Sequence, residues 1–393
     1  MTNALPQLRL TGAQILCDGA MQHRSISFAE GRIARGPLPE VDLSDYLILP
    51  GIIDLHGDGF ERHIAPRPTA PFPLAAGLAS FDREAAAHGV TTAYLAQGWS
   101  WEGGHRGPDY AEKLFAALDA YRPAALTDLR VQIRAETHLV DETARLIAAV
   151  KRFDIGYVIF NDHLEEGQHM ARLAPTDFAA WARKVGKTTE EMAAVIDEAT
   201  IKAKAVPRSL CTLAEAFDAL GVTYGSHDDP DGDTRERYSM IGARVAEFPL
   251  SRRAAAAAHA MNSPVVMGAP NVVRGKSQSG NISAQTFVID GLCDALVSDY
   301  HVPALPLAAW ALVDREVASL PVAWAMISTN PAEIMRITDR GRLDAGLRAD
   351  MVVIHAATRA IEATICGGRL TFLAGEAAQR FMVQQQSQAL AAE

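Results

Sequence analysis

The chain has 393 residues, 49% hydrophobic and 21% charged, with a formal net charge of -10. That profile belongs to a folded globular protein rather than a disordered one, and its acidic balance argues against a general nucleic-acid binder. No apolar run approaches the roughly 20 residues that a bilayer span requires, and Met1-Thr2-Asn3-Ala4-Leu5-Pro6 lacks the basic-then-apolar order of a secretory signal.

Residues 1–50 read as short strands. Leu8-Arg9-Leu10 and Ser25-Ile26-Ser27-Phe28 alternate, and Glu30-Gly31-Arg32 offers a turn. A related pattern returns in residues 341–380, as Gly341–Ile354 and then Ala363–Arg369. Two β-rich ends around a long middle predict that both termini pair into one small sheet domain, with 381–393 left as a tail whose last stretch, from Gln384, is polar and Ala-rich and reads as a frayed helix or tail. Cys17, Cys211, Cys293 and Cys366 form no C-x-x-C spacing. Buried free thiols in a reducing cytoplasm are the expectation.

Residues 51–340 alternate apolar strand candidates with helical segments, as parallel βα units do. The candidates are Ile52–His56, Thr91–Ala96, Leu129–Glu136, Tyr157–Asp162, Val222–His227, Val245–Phe248, Pro264–Ala269 and Ala295–Asp299. Eight such units close a barrel. The expected fold class is therefore α/β, a (β/α)8 TIM-type barrel with a small β-sandwich formed by both chain ends. Thr188-x-x-Glu191 offers a capping box. The stretch 176–219 is longer than one connecting helix needs and reads as a helical insertion near the barrel mouth.

The first strand carries the strongest chemical signal. After the hard turn Pro50-Gly51, the run Ile52-Ile53-Asp54-Leu55-His56-Gly57-Asp58 places His56 and Asp58 two positions apart, pointing the same way, where they can hold one ion. Other strand candidates end alike: the third in Glu136, the fourth in Asp162-His163, the fifth in His227-Asp228-Asp229 and the eighth in Asp299. Singly, each has an ordinary explanation as a helix cap or turn residue. Their recurrence on five strands, whose ends gather on one barrel face, points to a site. His56, Asp58, Glu136, His163, His227 and Asp299 suit one or two divalent ions, Zn²⁺ first, with Mn²⁺ or Fe²⁺ admitted by the oxygen ligands. With two ions, Glu136 is the natural bridge. Such an ion brings the pKa of water near neutrality. Asp299 is then the candidate general base, with Glu136 and His227 completing the catalytic set.

Two loops describe the substrate. Glu61–Pro68 contains Arg62 and Arg67, and Gly268–Asn281 contains Asn271, Arg274, Lys276, Ser277, Ser279 and Asn281. Cations, hydroxyls and glycine N–H groups together are how a protein holds phosphate oxygens; an ordinary solvated loop is the plainer alternative. Arg134 could add to the same positive surface. An anionic, phosphorylated small molecule is the expected partner, with no nucleic acid or membrane, and a homo-oligomer is expected.

These residues are similar to the amidohydrolase superfamily, whose general signatures appear in Pro50-Gly51-Ile52-Ile53-Asp54-Leu55-His56, in Gly346–Val353 and in Ser328-Thr329-Asn330-Pro331-Ala332. More closely, the chain resembles the diphosphatases of the carbon–phosphorus lyase pathway of phosphonate metabolism. The matching pieces include His56-x-Asp58 with Pro66-Arg67-Pro68, Asp162-His163, Ser226-His227-Asp228-Asp229, Met267–Gly275, Ser279-Gly280-Asn281 and Ser298-Asp299-Tyr300. The resemblance runs from about residue 8 to 372. It implies a metal-dependent hydrolase that converts α-D-ribose 1-methylphosphonate 5-triphosphate to the 5-phosphate and diphosphate.

Departures lie close to the substrate. Gly59 stands where that group has Asn, Lys276 and Gln278 replace a small residue and a His, and Leu164-Glu165-Glu166-Gly167-Gln168 replaces a Ser-Pro-Gly-Gln run. They keep open an alternative, an amidohydrolase acting on a cyclic amide or N-acyl small molecule. His163 and His227 also fall on strands four and five, one earlier than the superfamily's usual places.

Overall fold

A computed structural model describes residues 6–67, 70–276 and 282–392, with side chains described as far as residue 383. Its centre is an eight-stranded parallel sheet, ordered as in the chain. The strands are Ile52–Gly57 (β1), Val90–Trp99 (β2), Asp128–Glu136 (β3), Tyr157–Asn161 (β4), Thr223–His227 (β5), Val245–Glu247 (β6), Val265–Gly268 (β7) and Ala295–Val297 (β8). A parallel bridge between Gly57 and Asp299 brings the last strand back to the first. All eight sequence candidates are strands here. No strand went uncounted, and Glu136, His163 and His227 lie at or just past the ends of β3, β4 and β5.

The barrel closes because its strands carry apolar side chains on both faces, except β3, whose interior face is Arg130, Gln132, Arg134 and Glu136. Ile53, Leu55, Tyr94, Tyr157, Ile159, Val245, Val266 and Val297 fill the interior. Ile52, Leu95, Ile133, Phe160 and Leu296 face outward onto the helices. The floor is covered by the helix Thr329–Ile334, whose Ala332 joins the interior cluster. Burying a large aliphatic side chain contributes ~1.5–3 kcal/mol, so this packing fixes the register that aims the strand ends.

The two chain ends meet as expected. Met351–His355 lies antiparallel on Tyr46–Pro50 in a six-stranded sheet, with Met351 opposite Pro50. A four-stranded sheet of Leu8–Thr11, Ile26–Ala29, Arg32–Ala34 and Glu40–Asp42 faces the same core, which contains Leu10, Ile15, Phe28, Ile48, Val353 and Ile365. Beyond them the helix Gly375–Ala392 runs through residue 381, with Ala377 and Phe381 buried in that core. The segment expected as a tail thus begins as packed helix.

The insertion is helical throughout most of its length. Leu164–Leu173, Pro175–Lys184, Thr189–Lys202 and Val206–Leu220 follow β4. Thr188 and Glu191 form the expected capping box, Glu191 N to Thr188 Oγ1 at 3.1 Å and Thr188 N to Glu191 Oε2 at 2.8 Å. Leu164, Phe178, Ala182, Met192 and Ile196 give the insertion its own small core, which takes in Trp101 from the loop after β2. Through Trp101 the insertion is seated on the barrel mouth.

Candidate metal centre

The seam between β1 and β8 positions the first group. Asp54 is fully buried and accepts from Ser298 twice, N–H at 2.9 Å and Oγ at 2.6 Å. Burial nevertheless raises its carboxyl to about 6. The backbones then interlock, Asp299 N donating to His56 O at 2.9 Å and Asp58 N to Asp299 O at 2.8 Å. His56, Asp58 and Asp299 are thereby gathered, one donor atom from each lying within 4.8 Å of the others. Asp299 has φ +54°, and Asp228 and Phe248 at the ends of β5 and β6 have φ +57° and +53°. Non-glycine residues rarely occupy that left-handed region, and at three strand ends it turns the chain at the site.

His56 belongs to a second group as well, with His227 and Glu247. Glu247 Oε2 lies 3.0 Å from His56 Nδ1 and 3.7 Å from His227 Nε2. Its other oxygen accepts from Gln132 Nε2 at 2.7 Å. Burial opposes charge on both partners, yet their mutual attraction outweighs it, raising His56 and lowering Glu247 from their ordinary values. Phe248 packs edge-on to both imidazoles, at 5.2 Å from His56 and 5.1 Å from His227. His227 Nδ1 also faces Asp228 Oδ2 at 3.0 Å. Sequence reading missed Glu247, although a glutamate inside a buried strand candidate is itself a signal.

Glu136 and His163 are brought together, but with Glu102 rather than with His56. The two pair directly through His163 Nδ1, and Glu136 also accepts from Trp101 Nε1 and His163 N, each at 3.2 Å. Glu102, a second residue overlooked in the sequence, lies just past β2 because that strand runs to Trp99 and not only to Ala96. It holds Arg106 at 3.1 Å and accepts from Trp181 Nε1 at 2.6 Å. Asp162, beside His163, faces solvent and His138.

A cavity of about 1040 Å³ opens above these groups, lined by His56, His163, His227 and Asp299 from the barrel and by Val206, Pro207 and Leu210 from the insertion. Of the expected substrate residues, Asn271 lines it. Arg274 is exposed at the end of a short helix and donates to Tyr300 Oη at 3.3 Å; Arg67 and Lys276 are exposed too. Arg62 is committed to Glu84. Ser277, Ser279, Gly280 and Asn281 lie outside the described residues, as does Pro68. Arg134, by contrast, does line the cavity.

The donor set fits a divalent ion. His56 Nδ1, His227 Nδ1 and Glu247 Oε2 are buried without a hydrogen bond of proper geometry. Native proteins rarely leave such atoms unpaired. His56, Asp58, Asp299, His227 and Glu247 could hold one or two ions, and Glu102, Glu136 and His163 form a further group of ligand type. Burial, reinforced by Asp58 and Glu247 against the pull of His56 and Arg134, raises Asp299 to about 6. A carboxylate poised there can accept a proton near neutral pH.

No family model matches the chain. It is 30% identical over 337 residues to the alpha-D-ribose 1-methylphosphonate 5-triphosphate diphosphatase of Escherichia coli (strain K12), covering 84% of this chain and 88% of that protein. Among solved structures, a beta-aspartyl dipeptidase from Fervidobacterium islandicum AW-1 superposes with a TM-score of 0.63 at 13% identity, over 93% of this chain and 97% of that one. The N-acetylglucosamine-6-phosphate deacetylase from Pasteurella multocida gives 0.62 at 11%, over 93% and 99%. At such identities the likeness carries the fold alone.

Proposed function

Because this chain is a hydrolase that belongs to the amidohydrolase superfamily, in one family with the Escherichia coli diphosphatase, we propose that it hydrolyses α-D-ribose 1-methylphosphonate 5-triphosphate to the 5-phosphate and diphosphate. The observation that carries the reading is the overlap at His56, which belongs to both the Asp58–Asp299 group and the His227–Glu247 group beneath a cavity large enough for a nucleotide-sized anion. We take the resident cofactor to be one or two divalent ions, Zn²⁺ foremost, and the working compartment to be the cytoplasm, where four free cysteines suit a reducing environment.

When bound, such an ion supplies Lewis acidity and makes water acidic enough to react near neutral pH. The chain does the rest. Asp299 accepts a proton from the attacking water as its oxygen bonds to phosphorus, and the bond to the departing diphosphate breaks. Asp54 and Ser298 hold the β1–β8 seam so that Asp299 and His56 keep their separation. Gln132 fixes the rotamer of Glu247. Phe248 and Met267 give the cavity an apolar wall beside the imidazoles, which strengthens charge interactions there.

Fold neighbours named as a dipeptidase and a deacetylase share the barrel; in favour of an anion stand Arg134 and Arg237 in the cavity lining, beside carboxylates such as Asp162 and Asp228. A substrate panel tests the reading. Metal-loaded protein should release diphosphate from the ribosyl methylphosphonate triphosphate and leave dihydrouracil and a β-aspartyl dipeptide intact. Amide cleavage without phosphoanhydride cleavage would overturn it.

A further inference from the structure

Gln132, Arg134 and Glu136 share one face of β3, the face that lines the barrel interior. Gln132 is spent on Glu247 and Glu136 on His163 and Trp101. Arg134 makes only a long ion pair. Its Nη1 stands 4.0 Å from Asp58 Oδ2, beyond hydrogen-bond reach, and among the described residues its guanidinium makes no hydrogen bond. Yet its side chain is only 19% exposed, and it lines the cavity with His56, His163, His227 and Asp299.

The other shielded arginines are treated differently. Arg106 donates to Glu102 at 3.1 Å, Arg130 to Asp128 at 2.9 Å, Arg235 to Ser226 at 2.7 Å and Arg340 to Asp128 at 2.6 Å. A guanidinium carries five donors, and withdrawing them from water without acceptors is costly. An ion held by His56, Asp58 and Asp299 would draw the Asp58 oxygens to itself, removing the nearest carboxylate from Arg134. The Arg134 donors then face the cavity, open to an acceptor that a ligand brings.

We propose that Arg134 binds the oxygens of the phosphoryl group undergoing hydrolysis, as the cation that sequence reading sought in Arg274 and Lys276. The planar fork of a guanidinium matches two phosphoryl oxygens at once, and from β3 it reaches the space between the His56 groups and His163. Being fixed on a strand, it supports charge on those oxygens without reorganising as the reaction proceeds. The inference rests on the phosphohydrolase reading for its substrate, but anion binding by Arg134 can be measured apart from turnover.

The test uses inorganic phosphate as the probe. Its affinity for the metal-loaded wild type, Arg134→Met and Arg134→Lys is measured by calorimetry, with metal content and the urea midpoint recorded for each. Arg134→Met should bind phosphate ~10–100-fold more weakly, with unchanged metal content and a midpoint no lower than wild type. Arg134→Lys, which keeps the charge and loses the fork, should fall between them. In turnover of the ribosyl triphosphate, kcat of Arg134→Met should drop about 10²–10³-fold. Equal phosphate affinity in wild type and Arg134→Met, or a wild type that binds no phosphate, would overturn the inference. Phosphate binding that depends on Arg134, without diphosphate release by the wild type, would uphold this inference and sink the proposed reaction instead.

Discussion

Oε2 of Glu247 lies 3.0 Å from Nδ1 of His56, and both atoms are buried without a properly formed hydrogen bond. The pair sits where β6 ends beside β1 across the barrel mouth, and Gln132 holds the other Glu247 oxygen at 2.7 Å. A buried imidazole and carboxylate this close offer donor atoms of the kind that a divalent ion binds.

Removing Glu247 should therefore remove metal. Glu247→Ala is expected to lower bound divalent metal by ~10–100-fold in affinity, with activity falling in step. Elemental analysis after dialysis against graded chelator reads the first effect directly. A variant that retains the wild-type metal complement would exclude Glu247 as a ligand.

Asp299 should separate chemistry from binding. Asp299→Asn keeps the shape and loses the base, so turnover should collapse by more than metal content does. In the wild type, Asp299 is the proton acceptor only above its own pKa, so activity falls as pH drops through it. Burial puts that value at about 6 in the metal-free protein. A nearby cation can only lower it, so the acid limb of kcat/KM belongs at or below pH 6. An acid limb above pH 7 would point to a different base.

Ser298→Ala tests the seam. The substitution removes a 2.6 Å bond to a buried carboxylate and leaves Asp54 with two backbone donors, Ser298 N at 2.9 Å and His56 N at 3.4 Å. A loss of about 1–3 kcal/mol is expected, read as a lower urea midpoint, together with weaker metal retention because His56 and Asp299 lose their brace. Unchanged stability would show that Asp54 does not depend on this partner.

Asp128 tests the far end of the barrel, away from the chemistry. Burial would push its carboxyl up, but Arg130 and Arg340 outweigh it and hold it at about 2 against an ordinary 3.8. A carboxylate lowered on folding adds stability that is present above its unfolded value and is lost as pH falls toward the folded one. The contribution is about 2 kcal/mol. Asp128→Asn should show a lower urea midpoint at pH 7 and a shallower loss between pH 4 and pH 2, with kcat/KM unchanged. Wild-type stability at pH 7 would contradict this role.

The barrel was legible in the sequence because most strands are short apolar runs and five of the eight candidates end in polar groups, a local property. The pairing of the two chain ends was legible for a similar reason, since strands of matching pattern recur at both. Residues whose role depends on packing were not. Glu247 lacks the His or Asp neighbours that drew attention to His56 and His227, and its meaning comes from lying beside His56 across the mouth. Arg62 looked like a free cation until the helix Leu74–Ala87 placed Glu84 against it. Arg134 was legible only as an addition to a positive surface, and its lack of a hydrogen-bonded partner among the described residues is what distinguishes it. The split of the expected ligands into a His56 cluster and a Glu136–His163–Glu102 cluster is likewise three-dimensional, for Glu102 comes from a loop that the short strand candidate cut off.

The most direct measurement is phosphorus NMR of the protein incubated with α-D-ribose 1-methylphosphonate 5-triphosphate, run metal-loaded and again after chelation. The account predicts free diphosphate and the 5-phosphate in equal amounts from the loaded protein, none after chelation, and recovery when the metal is restored. An intact triphosphate in a sample whose metal is verified, or cleavage that survives chelation, would contradict it.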